Sequence, residues 1–107
     1  MIFDHRVYTA RPNRLAAFLS TYEEVGLPMQ RHYIGEPFGF FQTHIGELSR
    51  IVHLWGYESL ADREARRETM EADPTWVDYR RRVVAEDHLL DMRNQILKPV
   101  SFFDPKR

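Results

Sequence analysis

The residues best suited to chemistry fall in one stretch: His53, Trp55 and Tyr57, then Arg63 and Arg67, then Trp76 and Tyr79. Strand alternation puts the first three on one side of a strand, and a four-residue step puts the two arginines on one side of a helix. Two guanidiniums one turn apart can grip a carboxylate or a phosphate. Aromatic bodies with polar tips are the usual walls of a small-molecule pocket. His53 adds an imidazole, which serves as a general base near neutral pH when its surroundings allow. The candidate ligand pocket is therefore His53, Trp55, Arg63, Arg67, Trp76 and Tyr79, and its occupant a small organic or anionic molecule. A plainer reading stands beside it. The arginines pair with Glu64, Glu71 or Asp73, and the aromatics fill a core or a dimer interface. No catalytic residue is assigned, because no nucleophile or orienting acid accompanies His53 in the pattern.

Other chemistries find less support. His5, His44 and His53 fall on predicted strands, but His44 and His53 would lie about 13 Å apart along the hairpin, too far for one zinc ion. With no HxH, HxxxH or HExxH spacing, no metal is expected. No cofactor is expected either, since the chain has no glycine-rich phosphate loop and no nucleophile elbow. Arg80-Arg81-Arg82 reads as a solvated helix face offset by Asp78 and Glu86. A net charge of −1 leaves no basic stripe for nucleic acid. The absence of cysteine suits a reducing compartment. No signal-type apolar segment and no run of membrane-spanning length is present, so a cytoplasmic location without membrane insertion is expected.

The elements that must position these residues follow from periodicity. Residues 2–9 alternate as a first strand. Pro12 suits a helix start, and Leu15, Phe18, Leu19, Tyr22 and Val25 recur at helical spacing until Gly26 and Pro28 punctuate the pattern, with room for another helical turn from Met29 to Tyr33. Residues 38–45 and 48–57 form a hairpin about a tight Gly46-Glu47 turn. That turn makes opposed positions sum to 93, so Phe40 faces His53, Gln42 faces Ile51 and Phe38 faces Trp55. Phe41, Val52 and Leu54 fall on the other side, which makes both faces apolar where one would ordinarily be wet. Something must cover the second face, and a second copy of the sheet is the simplest candidate. Ser59 and Asp62 cap a helix over residues 59–72, with Ala61, Ala65 and Ala72 as a small stripe able to sit against the sheet. Asp73-Pro74 opens another helix, with Trp76, Tyr79, Val83 and Leu90 on one face. Residues 97–103 complete the sheet as an edge strand. The order is β-α-β-β-α-α-β, an α+β, ferredoxin-like pattern with a four-stranded antiparallel sheet, read as a single domain over residues 1–107.

Taken together, these residues resemble the NIPSNAP family of the dimeric α/β-barrel superfamily. The resemblance rests on His5-Arg6-x-Tyr8, Gly26-Leu27-Pro28 and Gly46-x-Leu48. It is carried furthest by His53-Leu54-Trp55-x-Tyr57-x-Ser59-Leu60-x-Asp62-Arg63, then Arg67, Asp73-Pro74-x-Trp76 and Tyr79. Ser49 departs from the pattern, which leads one to expect asparagine there. The resemblance implies ferredoxin-like subunits whose sheets meet face to face in a homodimer, and it implies no catalytic residues. The function expected is a small-molecule or protein-binding module of undefined biochemical activity. The alternative is a cofactor-independent enzyme, monooxygenase- or isomerase-like, with its pocket between sheet and helices.

Overall fold

The structure is a computed structural model that describes residues 1–105. It consists of β1 (Ile2–Ala10), α1 (Leu15–Thr21), a π-helical turn (Tyr22–Gly26), α2 (Leu27–Tyr33), β2 (Gly39–Gln42), β3 (Arg50–Tyr57), α3 (Leu60–Glu71), α4 (Pro74–Glu86) and β4 (Leu89–Leu97). The strands form one antiparallel sheet in the order β2-β3-β1-β4. This is the ferredoxin-like α+β arrangement expected from the periodicity. Alternation along β3 is strict, with Ile51, His53, Trp55 and Tyr57 buried and the residues between them half-exposed. Trp55 and Tyr57 meet Met70 of α3, Trp76 and Tyr79 of α4, and Ile34 in the main apolar cluster. Removing such side chains from water supplies about 1.5–3 kcal/mol each.

Both caps around α3 and α4 form as their residue types dictate. The Ser59 hydroxyl accepts from the Asp62 N–H at 3.1 Å, and Asp62 in turn accepts from the Glu58 N–H at 3.0 Å. Asp73 accepts from the Thr75 N–H at 2.9 Å, with Pro74 in the first turn. Asp73 also takes a 2.6 Å hydrogen bond from the Tyr33 hydroxyl, so the α3–α4 corner is tied to α2.

Several expectations are corrected. The hairpin keeps the register that sums to 93, with Phe40 opposite His53 and Gln42 opposite Ile51. Its tight turn does not form. The ladder ends at Gln42 with one more hydrogen bond, from the Thr43 N–H to the Arg50 carbonyl at 3.0 Å, and residues 44–49 make a loose loop in which Gly46 and Ser49 take positive φ and His44 lies off the strands. Ser49 has φ 62°, the left-handed region that asparagine tolerates better, so its departure from the family pattern falls where backbone geometry matters. Phe38 precedes β2, and its ring lies against Phe3 and over Gly56 on the face away from the helices, not beside Trp55.

The last strand is Leu89–Leu97 and not residues 97–103. Asp87 ends α4 in the left-handed conformation (φ 51°), held by Arg11, whose Nε donates to the Asp87 carbonyl at 3.0 Å. Leu90 therefore leaves the helical stripe and joins the edge strand. The strand is legible only through its partner: β1 has a free ladder of backbone groups, and a segment with one β-branched residue fills it. Ala61, Ala65 and Ala72 are exposed, so the small-residue stripe does not meet the sheet. Arg63, Arg67 and Met70 turn inward instead. Pro12 lies ahead of the helix, in the turn closed by the Arg14 N–H on the Arg11 carbonyl.

The helical segment does not stop at Gly26 but widens. The Leu27 N–H reaches back five residues to the Tyr22 carbonyl, and α2 continues with Pro28 in its first turn. Gly26 is needed here for space: a Cβ would stand 2.7 Å from the Tyr79 ring. Gly26→Ala is expected to cost about 1–3 kcal/mol by overpacking, measured by urea unfolding. Glu24→Ala on the exposed side of the same turn should stay within about 0.5 kcal/mol. Equal effects at the two positions would refute the close approach.

Candidate functional site

His53 sits mid-strand on β3, facing the helices and wholly buried. Tyr8 lies edge-on to its ring at 4.8 Å, with Phe40 at 5.0 Å and Tyr22 at 6.3 Å. Trp55, two residues along the same face, donates its indole N–H to His53 Nδ1 at 2.7 Å. An indole N–H is only a donor, so Nδ1 must be the acceptor and the neutral ring carries its proton on Nε2. Among the described residues, no acceptor meets that Nε2. Burial, reinforced by the nearby Arg6 guanidinium, pushes the His53 pKa down to about 3 against an opposing pull from Asp4. A general-base role near neutral pH therefore finds no support in this geometry. The lone pair on Nδ1 is engaged, and Nε2 already holds a proton.

Beside the histidine lies a charged cluster centred on Asp4, which is 0% exposed. Alternation on β1 turns Asp4, Arg6 and Tyr8 toward the helices, as it does His53 and Trp55 on β3. The Asp4 carboxylate accepts from Arg6 Nη1 at 3.0 Å, from Arg63 Nε at 3.2 Å and from Asn94 Nδ2 of β4 at 3.1 Å. Arg6 Nε donates to the Tyr8 hydroxyl at 3.2 Å. Burial would raise the Asp4 pKa, but Arg6, the Asn94 amide and Arg63 outweigh it and hold the carboxyl below the usual range.

The ion pairs expected from sequence also form, Arg63 with Glu64 at 2.8 Å and Arg67 with Glu71 at 3.4 Å. They do not balance the site. The Arg6, Arg63 and Arg67 side chains are only 15%, 17% and 18% exposed, whereas Glu64 and Glu71 are 72% and 45% exposed and largely screened by solvent. Inside, Arg6 and Arg63 share the single fully buried carboxylate of Asp4, while Arg67 meets only Glu71 at the rim.

Two openings flank this cluster. An open cleft of about 710 Å³ runs between α3 and the sheet, with Arg6, Arg63, Arg67 and Asn94 in its lining together with Glu64, Glu68 and Glu71 of α3. A more enclosed cavity of about 170 Å³ lies between the sheet and the helices, with His53 and Tyr8 on the sheet side and Tyr22, Trp76 and Tyr79 on the helix side. Arg6 and Arg67 border both. Of the six residues proposed from sequence, His53, Arg67, Trp76 and Tyr79 share the cavity. Trp55 is buried behind it and acts through His53, and Arg63 belongs to the cleft and to Asp4.

Asp4, Arg6, Tyr8, Tyr22 and Gln30 were not among them. A signal for three was present: polar residues alternate at positions 4, 6 and 8 on the inward face of a strand. Tyr22 and Gln30 come together only because the π turn rotates α2, which lets the Tyr22 hydroxyl donate to Gln30 Oε1. Burial raises the Tyr22 and Tyr79 hydroxyls well above their ordinary pKa, so both remain protonated. Among the described residues, no trio of histidine and carboxylate side chains gathers to hold a metal ion, and no helix is long and apolar enough to cross a membrane.

Comparison with known proteins places this geometry among relatives. Residues 3–104 match the sequence profile described as NIPSNAP. A NipSnap homolog from Dictyostelium discoideum is 31% identical over 99 residues, covering 92% of this chain but 43% of that protein. The chain thus spans less than half the length of that curated relative. An uncharacterised NIPSNAP-like domain protein from Burkholderia xenovorans is 42% identical, with a TM-score of 0.86 over 97% of this chain and 89% of that one. A protein from Nitrosomonas europaea, provisionally named an antibiotic biosynthesis monooxygenase, shares the fold with a TM-score of 0.66 at 16% identity, covering 94% of this chain and 99% of that one.

Within the buried site, His53 and Asp4 set the acid response. The His53 pKa lies below its ordinary 6.5, so the folded state binds fewer protons than the unfolded chain between these values. Its contribution is complete above 6.5 and declines as pH falls toward 3. Asp4 follows at lower pH, its contribution present above 3.8 and lost as pH falls through the depressed value. The urea midpoint is expected to fall steadily on acidification from pH 6.5. Nitrogen NMR of the imidazole should show His53 as the neutral Nε2–H form from about pH 5 to about pH 8. A His53 ring that titrates near neutrality would remove this account.

Proposed function

This chain belongs to the NIPSNAP family, and from that premise we propose that residues 1–107 are one NIPSNAP-type domain working as a homodimeric binding module for a small organic anion. The excess of buried guanidinium over buried carboxylate carries this reading. Charges held largely out of water need partners: Arg6 and Arg63 share Asp4, and Arg67 meets only the solvent-screened Glu71 at 3.4 Å. A carboxylate or phosphate entering beside Arg67 would complete the pairing, with the aromatic walls excluding water. A base-dependent enzyme is the less supported alternative, since His53 has no lone pair to offer. Residence in the cytoplasm belongs to the same reading and is supported by the cysteine-free composition.

The homodimer is supported by the sheet face turned away from the helices. Val7, Val52 and Leu54 are half-exposed there, Phe41 is 65% exposed, and Leu97 and Phe103 extend the apolar surface. An antiparallel sheet with one solvated face would ordinarily carry polar residues at those positions. A second copy of the same face is a self-complementary cover.

Sedimentation velocity at micromolar concentration should give a dimer, and Leu54→Glu should shift it to monomer while the helical circular dichroism persists. A wild-type monomer would sink the face-to-face assembly. Native mass spectrometry of freshly purified protein should retain a small anion. Arg67→Gln should abolish that retention, and retention unchanged by Arg67→Gln would rule out the anion site.

A further inference from the structure

The cavity behind the arginines carries a second, separate set of unmet partners. His53 Nε2 and the indole nitrogen of Trp76 are both fully buried, both belong to residues that border the cavity, and neither finds an acceptor among the described residues. Both are N–H donors: Trp76 by its chemistry, His53 because Trp55 occupies its other nitrogen. A buried donor left unpaired costs about 1–3 kcal/mol, so two beside one small cavity are a marked exception in a core. The described residues bordering the cavity include Arg6, Arg67 and Arg80 and no carboxylate. Every charged or unpaired polar group there donates, which calls for an occupant that accepts and carries negative charge.

Size and wall chemistry narrow the occupant further. A volume of about 170 Å³ is close to the ~150 Å³ that admits one benzene ring in a protein interior. Tyr8, Tyr22 and Tyr79 supply ring faces and edges around it, and the tilted Trp76–Tyr79 pair, centroids 5.2 Å apart, forms one wall.

We propose that this cavity is a binding site for a monocyclic aromatic carboxylate, with His53 Nε2–H and Trp76 Nε1–H donating to its oxygens and Arg6 and Arg67 balancing its charge. The proposal rests on the reading of the domain as a binder of small anions and adds to it the place, the ring and the two donors. His53 is then a fixed donor, oriented by Trp55, and a binding residue in its own right. The neutral imidazole discriminates among oxygen acceptors without changing its charge.

Benzoate, benzamidinium and toluene serve as probes, titrated into the full-length protein at neutral pH. Benzoate should bind at least about tenfold more tightly than either of the others, the margin that one charge-assisted hydrogen bond provides. In the unmodified protein the His53 and Trp76 ring N–H proton resonances should both move on adding benzoate. His53→Phe should lose at least about tenfold in benzoate affinity while toluene affinity is kept. Toluene binding without preference for benzoate, or benzoate binding that leaves both ring resonances unmoved, would overturn the donor assignment while leaving a ligand-binding cavity in place. Benzoate held only through Arg63 in the outer cleft, detected as loss with Arg63→Gln but not with His53→Phe, would overturn it while leaving the anion-binding reading intact. Failure of benzoate and of inorganic phosphate alike would remove both.

Discussion

Much of this site depends on one buried carboxylate. Asp4 joins the central strand to α3 through Arg63 and to the edge strand through Asn94, and it holds Arg6 in place on its own strand. Buried ion pairs contribute little net stability, because desolvation consumes most of the Coulomb attraction. Their consequence is geometric. With Asp4 removed from solvent, the guanidiniums of Arg6 and Arg63 have few other places to go, and α3 is held at the distance that opens the cleft. Arg67, one turn further along α3, inherits its position from that anchor while its nearest anion, Glu71, sits at the rim.

The second constraint is the strand pair His53 and Trp55. Their two-residue spacing places both rings on the helix side, and the hydrogen bond between them decides the tautomer of the imidazole. A histidine among aromatics can be a base, a ligand or a passive core residue. Here the indole N–H removes the first option, and burial beside Arg6 keeps the ring uncharged. Around this pair the π turn performs a complementary task. By shifting the helix phase at Tyr22 and leaving no side chain at Gly26, it brings Tyr22 over the sheet and lets Tyr79 lie against the helix backbone. Such widened turns recur where a helix must present side chains to a site.

Legibility differed sharply between parts of the chain. The hairpin register was readable because alternation leaves little freedom once one face must be buried, and it held even though the predicted Gly46-Glu47 turn loosened into a loop. The caps at Ser59 and Asp73 were readable because they are local chemistry between residues two or three apart. The edge strand was misplaced because β4 carries no strong pattern of its own and is defined by backbone pairing with β1, some ninety residues away in the chain. Phe38 was misassigned for a related reason: outside the ladder, alternation no longer dictates direction, and the ring moved to the opening above Gly56.

The sequence by itself determined the family, the order of elements, the capped helices and the inward set His53, Arg67, Trp76 and Tyr79, all of which follow from spacing within one element or across one hairpin. Tertiary structure decided the rest. Only the folded sheet brings Asp4 and Arg6 of the first strand to Arg63 of the third α-helix and Asn94 of the last strand. Burial beside Arg6 keeps His53 uncharged, and the fold then leaves its Nε2–H, fixed by Trp55, without an acceptor among the described residues. Periodicity encodes which face a residue occupies. Charge balance and the charge state of a buried ring depend on which groups from distant segments share that face, and no local pattern contains that.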